Sequence, residues 1–179
     1  MRYLCFALLI CAPLNAQSLS FGLKGGGLFT DPAERTDRSQ RYVVGPALEL
    51  GFGPRVAVEV NALYNRFGSA SSSRVLRGHS IEFPLLGKFY FADRESAVRP
   101  YAASGFAFRN IWFDDGGAGG FARRVESTEP AVGAVVSGGI TFKAWALKLS
   151  PEVRYTRWGG YNYPATNPNQ VQALVGISF

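Results

Sequence analysis

Leu147-Lys148-Leu149-Ser150-Pro151-Glu152-Val153-Arg154-Tyr155 alternates between apolar and polar side chains without a break. Successive side chains on a strand point to opposite faces, so this stretch reads as a strand with one oily face and one charged face. The same period of two recurs along the chain in segments at 18–29, 41–52, 55–67, 80–91, 99–109, 131–142, 146–157 and 170–179. No capped run of helical period stands between them. Each segment is about as long as a tilted membrane-crossing strand, which needs roughly 9–11 residues.

The connections carry a second pattern. Gly53-Pro54, Ala92 to Val98 and Lys143 to Trp145 are short, whereas Thr30 to Gln40, Gly68 to His79, Asn110 to Pro130 and Trp158 to Asn169 are long. Long and short connections alternate, which places every long loop at one end of an up-and-down barrel. That asymmetry, with short periplasmic turns and longer outer loops, is the one expected of an outer-membrane barrel.

Composition bounds the remaining choices. The 179 residues are 47% hydrophobic and 14% aromatic but only 18% charged, against roughly 25% charged in ordinary soluble domains. A disordered chain would be poor in aromatics and rich in charge. One His and two Cys exclude a multi-ligand zinc site and a disulfide framework. Met1-Arg2, the apolar run Tyr3 to Leu14 and Asn15-Ala16-Gln17 have the three parts of a secretory leader, with cleavage expected after Ala16. Residues 1–16 would then be the leader and 17–179 the barrel domain. Both Cys5 and Cys11 fall in the leader. A lipoprotein site at Cys11 is the competing reading, but Ile10 precedes it where a small residue is wanted.

Charge is segregated by face. Lys24, Glu49, Glu59, Glu82, Lys88, Lys148, Glu152 and Arg154 all fall on the polar side of their segments, four basic and four acidic. In a narrow lumen such charges would have to pair. On a lipid-facing side each Arg or Lys at the midplane would cost roughly 2–4 kcal/mol. Alternation alone leaves a second option open: a soluble calycin-like barrel with the apolar face inside and the charges in water. Three features favour the membrane arrangement. They are the leader, the loop asymmetry, and apolar-face aromatics at both strand ends. Phe29, Tyr42, Tyr64 and Tyr155 lie near the long-loop end, and Phe21, Phe52, Phe91 and Phe179 near the short-turn end. Segments 99–109 and 131–142 are too uniformly small and apolar for their faces to be assigned.

Certain short motifs look familiar. Ile81-Glu82-Phe83-Pro84-Leu85-Leu86-Gly87-Lys88-Phe89 resembles the E-x-P-L-L-x-K strand of the bacterial outer-membrane β-barrel domain family. Pro100-Tyr101-Ala102-Ala103-Ser104-Gly105 resembles its P-Y-x-x-x-G strand, and Pro151-Glu152-Val153-Arg154-Tyr155 its E-x-R-Y strand. The terminal Phe179 is similar to the signal that the barrel-assembly machinery reads. The resemblance implies a small eight-stranded antiparallel transmembrane barrel like the OmpA transmembrane domain or OmpX. That family is functionally heterogeneous, so it implies fold and location more than activity.

Candidate chemistry is sparse. His79 is the single histidine, and rim-located lipid-modifying enzymes or proteases of this general kind use a His with acidic or Ser partners. Ser80, Asp114, Asp115 and Ser71 to Ser73 are the available neighbours, but no G-x-S-x-G elbow fixes one of them. Asp114-Asp115-Gly116-Gly117-Ala118-Gly119-Gly120 lacks both the calcium-loop spacing and the Lys-Ser/Thr of a phosphate loop, so it reads as a flexible tip. Ile111-Trp112-Phe113 beside it reads as interface anchoring or as the base of a binding surface. Arg35, Arg38, Arg41, Arg74, Arg77, Arg123 and Arg124 make the long loops basic. With no stacking or groove-reading motif beside them, lipopolysaccharide phosphates are nearer partners than nucleic acid. The lumen charges could form an ion pathway, but eight strands leave room only for side chains. The expectation is therefore a monomeric outer-membrane barrel with no cofactor or metal and no catalysis, serving a structural or surface-interaction role. Its partners would be outer-membrane lipids, lipopolysaccharide and, during biogenesis, the assembly machinery. A narrow channel for small solutes is the first alternative and a rim-located lipid-modifying enzyme the second.

Overall fold

In the structure, a computed structural model that describes residues 17–30, 42–71, 74–115, 123–126, 131–159 and 168–179, the alternating stretches become strands that close on themselves. The strands are β1 (Gln17–Leu28), β2 (Tyr42–Phe52), β3 (Val56–Asn61), β4 (Leu63–Ser71), β5 (Arg74–Tyr90), β6 (Val98–Asp115), β7 (Arg123–Glu126), β8 (Ala131–Ala144), β9 (Leu147–Gly159) and β10 (Asn169–Ser178). All neighbouring pairs are antiparallel, and β1 pairs with both β2 and β10, so the sheet closes. Residues 1–16, where a leader is expected, lie outside the described residues.

The ten strands make eight staves, as the period-two pattern predicted. β3 and β4 form one stave, interrupted at Ala62. The Ala62 N–H donates to the Pro46 carbonyl at 3.0 Å, but Pro46 has no N–H to return, so the ladder breaks there. β7 prolongs the β8 stave outward, pairing with β6 from Trp112↔Glu126 to Asp115↔Arg123.

Closure decides which face is inside. Ser20, Lys24, Glu59, Glu82, Lys88, Glu152, Arg154 and Gln172 are buried in the lumen, whereas Leu19, Phe21, Leu23, Leu149, Val153, Val175 and Ile177 are exposed on the outer wall. This polarity is the reverse of a soluble barrel, and it overturns the calycin-like alternative. A closed sheet also leaves no unpaired strand edge, the condition for β-structure in a hydrocarbon layer.

The two unassigned segments now have faces. In β6, Tyr101, Ala103, Ala107 and Arg109 point inward, and Phe106 and Phe108 outward. In β8, Val135 and Thr141 point inward, and Val132, Val136, Ile140 and Phe142 outward. Gly139 lies directly across the ladder from Tyr101. A Cβ there would stand 2.6 Å from the Tyr101 hydroxyl, so only glycine lets that ring reach into the lumen.

Two loop expectations need correction. Residues 68–71 and 74–79 are strand, paired in one ladder from Leu63↔Glu82 to Ser71↔Arg74, and β6 runs on to Asp115. Their sequence lacks the period-two alternation that marks the rest of the wall, which is why it did not read as strand. The short turns are tight. Gly53 adopts a left-handed φ of 79° between β2 and β3, and Trp145, at φ 57°, turns the chain between β8 and β9.

Candidate functional site

Among the described residues, the lumen assembles chemistry-bearing side chains from many strands. Its centre is a network built from Lys24 on β1, Glu49 on β2, Glu59 on β3, Lys88 on β5, and Glu152 and Arg154 on β9. Lys24 Nζ donates to Glu59, and to Glu152 Oε2 at 2.6 Å. Lys88 Nζ bridges Glu49 at 2.7 Å and Glu59 at 2.9 Å. Arg154 reaches Glu152 at 2.8 Å and Glu59 at 3.3 Å. Three cations face three carboxylates, so the centre is neutral. Such balance is needed because an isolated charge in this environment would be strongly disfavoured.

Neutral donors complete the set. Tyr101 donates to Glu152 Oε2 at 2.8 Å, and Tyr90 to Glu49 at 2.9 Å. The Asn61 amide donates to Glu59 at 2.8 Å. Lys88 also stands 4.1 Å above the Tyr101 ring, within cation–π range.

The remaining two predicted lumen charges lie apart from this centre. Glu82 sits toward the long-loop side, accepting from Gln170 Nε2 at 2.9 Å and Gln172 Nε2 at 3.2 Å. Lys148 sits at the short-turn mouth, where it donates to Ser20. Phe179 closes the wall: it exchanges backbone hydrogen bonds with Phe21 at 3.1 and 3.2 Å, and the two rings meet edge to face at 6.3 Å.

Several lumen residues, four of which matter most to the network, escaped sequence reasoning. Arg109 lies 4.2 Å from the Trp158 ring and reaches Gln170 at 3.4 Å. Arg99 lies 3.7 Å from the Tyr90 ring. Tyr90 and Tyr101 are the hydroxyl donors described above. Arg99, Tyr101 and Arg109 share one parity on β6, a signal hidden by the alanines between them.

Among the described residues, the contacts of the rim histidine run to two aromatic side chains. His79 shares the outer wall with Tyr64, whose hydroxyl is 2.5 Å from Nδ1, and with Trp112, which stacks on it at 5.6 Å. Ser80 points the other way and is buried in the lumen. Ser71, Asp114 and Asp115 are paired through their backbones, and their side chains lie outside the described residues. Ser72, Ser73, Gly116 to Gly120, and Arg35, Arg38 and Arg41 also lie outside them.

What this lumen does physically is block itself. Leu63, Leu86, Arg154, Leu174 and Gln172 are each under 2% exposed or at that limit, so side chains fill the bore from wall to wall, the packing expected of eight strands.

No protein-family model matches the chain, and no curated protein matches it by sequence. Solved structures do share its fold. Neisserial surface protein A (NspA) superposes with a TM-score of 0.64 at 15% identity, covering 91% of this chain and 97% of its own. The N-terminal β-barrel domain of Pseudomonas aeruginosa OprF gives 0.57 at 14% identity, covering 92% and 98%. Ail, the attachment invasion locus protein of Yersinia pestis, gives 0.51 at 12% identity, covering 90% and 95%. The shared feature is the closed eight-stranded barrel of small outer-membrane proteins.

Proposed function

We propose that the chain is an outer-membrane barrel, exported by its leader, that holds extended hairpins above the membrane as a surface-interaction platform without catalysis. The observation that carries the membrane part is the inside-out polarity: a charge-neutral, filled lumen inside a wall of exposed Leu, Val and Phe. Such a wall in water would be a large apolar liability, whereas in lipid it is the solvent-matched surface. The structural neighbours are outer-membrane proteins, which agrees with that residence.

The surface part rests on strand length. β5 has 17 residues and β6 has 18. At about 3.4 Å per residue and a tilt of roughly 35–45°, such a pair rises well past an apolar band of about 25 Å. Lipopolysaccharide phosphates would meet the basic residues of these outer segments, with the barrel acting as a monomer and no nucleic acid involved. Ail is named for attachment and invasion, a role of the same outward-presenting kind. The filled bore weighs against the solute channel.

Fractionation of cells expressing the full chain tests the residence. The expected result is recovery in the outer-membrane fraction, with unboiled and boiled samples migrating differently on a denaturing gel. A soluble, detergent-independent product would overturn it. Planar-bilayer recording of the folded chain is expected to be silent; discrete conductance would restore the channel.

A further inference from the structure

The short-turn end of the lumen opens into a cavity of about 180 Å³ whose lining is basic. Arg94, Arg99, Lys143 and Lys148 line it, and Glu49 is its one carboxylate. Glu49 is already engaged by Lys88 and Tyr90. The other acidic groups of that end lie elsewhere: Asp93 pairs with Arg55 outside the bore, and Glu95 is exposed in the same turn and does not line the cavity. The cavity therefore holds a surplus of positive charge, unlike the neutral centre above it.

The cations are also held in ways that keep them together. Lys143 and Lys148 face each other directly across the β8–β9 ladder, a like-charge pairing that is unfavourable unless something offsets it. Lys148 donates only to a neutral hydroxyl, that of Ser20, and Arg94 to that of Ser18. Arg99 is about nine-tenths buried; one of its terminal nitrogens donates to the Pro54 carbonyl at 2.9 Å and its plane covers Tyr90. Its Nε–H is buried without an acceptor. A buried guanidinium donor left unsatisfied carries a desolvation cost, and among the described residues the charge of Arg99 is left without a carboxylate partner in the cavity.

We infer that this mouth is a binding site for a small phosphate-bearing anion, recognised by the Arg99 edge together with the Lys143–Lys148 pair. The volume suits a phosphate group and a few further atoms, and the site opens to the side of the short turns. This inference rests on the lumen geometry alone and is independent of the surface role. Free phosphate esters and the headgroup of an anionic lipid at that rim share this chemistry.

The test uses the full chain folded into phosphatidylcholine vesicles, with urea unfolding followed against inorganic phosphate at constant ionic strength. The expected result is a saturable rise in the unfolding midpoint, as for any ligand that binds only the folded state. Lys143→Gln/Lys148→Gln should weaken the half-saturating concentration about tenfold or more, since each lost charged hydrogen bond carries that order of effect. Arg157→Gln, on the outer wall, should leave it unchanged. Arg99→Gln should also weaken it; because that residue is buried and its replacement disturbs the packing as well, the exposed Lys143→Gln, read by phosphorus resonance titration, decides the matter alone. A second arm adds phosphatidylglycerol to the vesicles. Stabilisation seen only with that lipid, and lost in the lysine variants, identifies the headgroup as the source. No saturable effect in either arm, or an effect that survives the lysine variants, overturns the site.

Discussion

Glu49 and Glu59 stand directly opposite each other across the β2–β3 ladder, two carboxylates in a like-charge pairing inside the lumen. Lys88, two strands away from Glu49 in the wall, places its ammonium between them at 2.7 and 2.9 Å. The repulsion is thereby turned into a clamp that ties β2, β3 and β5 together.

Removing the clamp should cost much of the barrel's stability. Lys88→Met leaves two facing carboxylates short of a counter-charge, and breaking a buried pair in this way costs about 3–5 kcal/mol. Urea unfolding in vesicles is expected to show that loss. Lys88→Met/Glu49→Gln should recover part of it, and the non-additivity measures the coupling.

Gly139 is expected to be intolerant of a side chain. In Gly139→Ala the new methyl meets the Tyr101 hydroxyl and the Pro151 carbonyl, and overpacking of this kind costs about 1–3 kcal/mol. Gly138→Ala is the matched control, since its nearest neighbour, the Tyr101 carbonyl, would lie at 3.8 Å. A lowered midpoint for the first and an unchanged one for the second is the predicted pattern.

Loss of Phe179 should act on assembly more than on the lumen. Its backbone and ring join the last strand to Phe21 on the first, the seam that closes the sheet. Deleting it is expected to reduce the heat-modifiable, folded band in membrane fractions, with a smaller deficit for Phe179→Ala, which keeps the backbone bonds.

Trp145 holds a left-handed backbone conformation and is almost fully exposed, at 99%. A bulky residue there carries a steric cost of roughly 1–2 kcal/mol that Asn tolerates better. Trp145→Asn is therefore expected to raise the unfolding midpoint of the detergent-folded barrel. A fall in vesicles alone would identify Trp145 as an anchor in the headgroup layer.

The turn pair Arg55–Asp93 provides a contrast. A hydrogen bond from Arg55 at 2.8 Å, and then its charge, holds the Asp93 carboxyl below its ordinary value. The contribution is present above the usual Asp range of about 4 and is lost as pH falls through the lower folded value. Both side chains are at least half exposed, so solvent screens the pair. Asp93→Asn is expected to leave the midpoint at neutral pH within error of the parent, and stability profiles from neutral to acidic pH should nearly superimpose.

Much of the wall was legible in the sequence because a closed barrel with an apolar outer face imposes a strict rule. Every second residue of β1, β3, β5, β9 and β10 had to be apolar, and that period survives in the sequence. Where the rule relaxes, the reading stopped. Residues 68–79 carry no period-two alternation of apolar side chains, so they looked like a loop. Within β6, Ala102, Ala103 and Ala107 lie on both faces, which concealed Arg99, Tyr101 and Arg109. His79 drew attention as a lone histidine, but its nearest sequence neighbour, Ser80, is on the opposite face, as period two requires.

By itself the sequence determined that each strand has two unlike faces, that eight such strands follow one another, and that charges of both signs share the polar face. It did so because backbone alternation and the cost of a charge on an apolar wall act residue by residue. Only the tertiary structure decided which face turns inward and which charge meets which. Alternation is symmetric to turning the sheet inside out, and the partners Lys24 and Glu152 lie 128 residues apart, brought together only by closure of the barrel and the register of its strands.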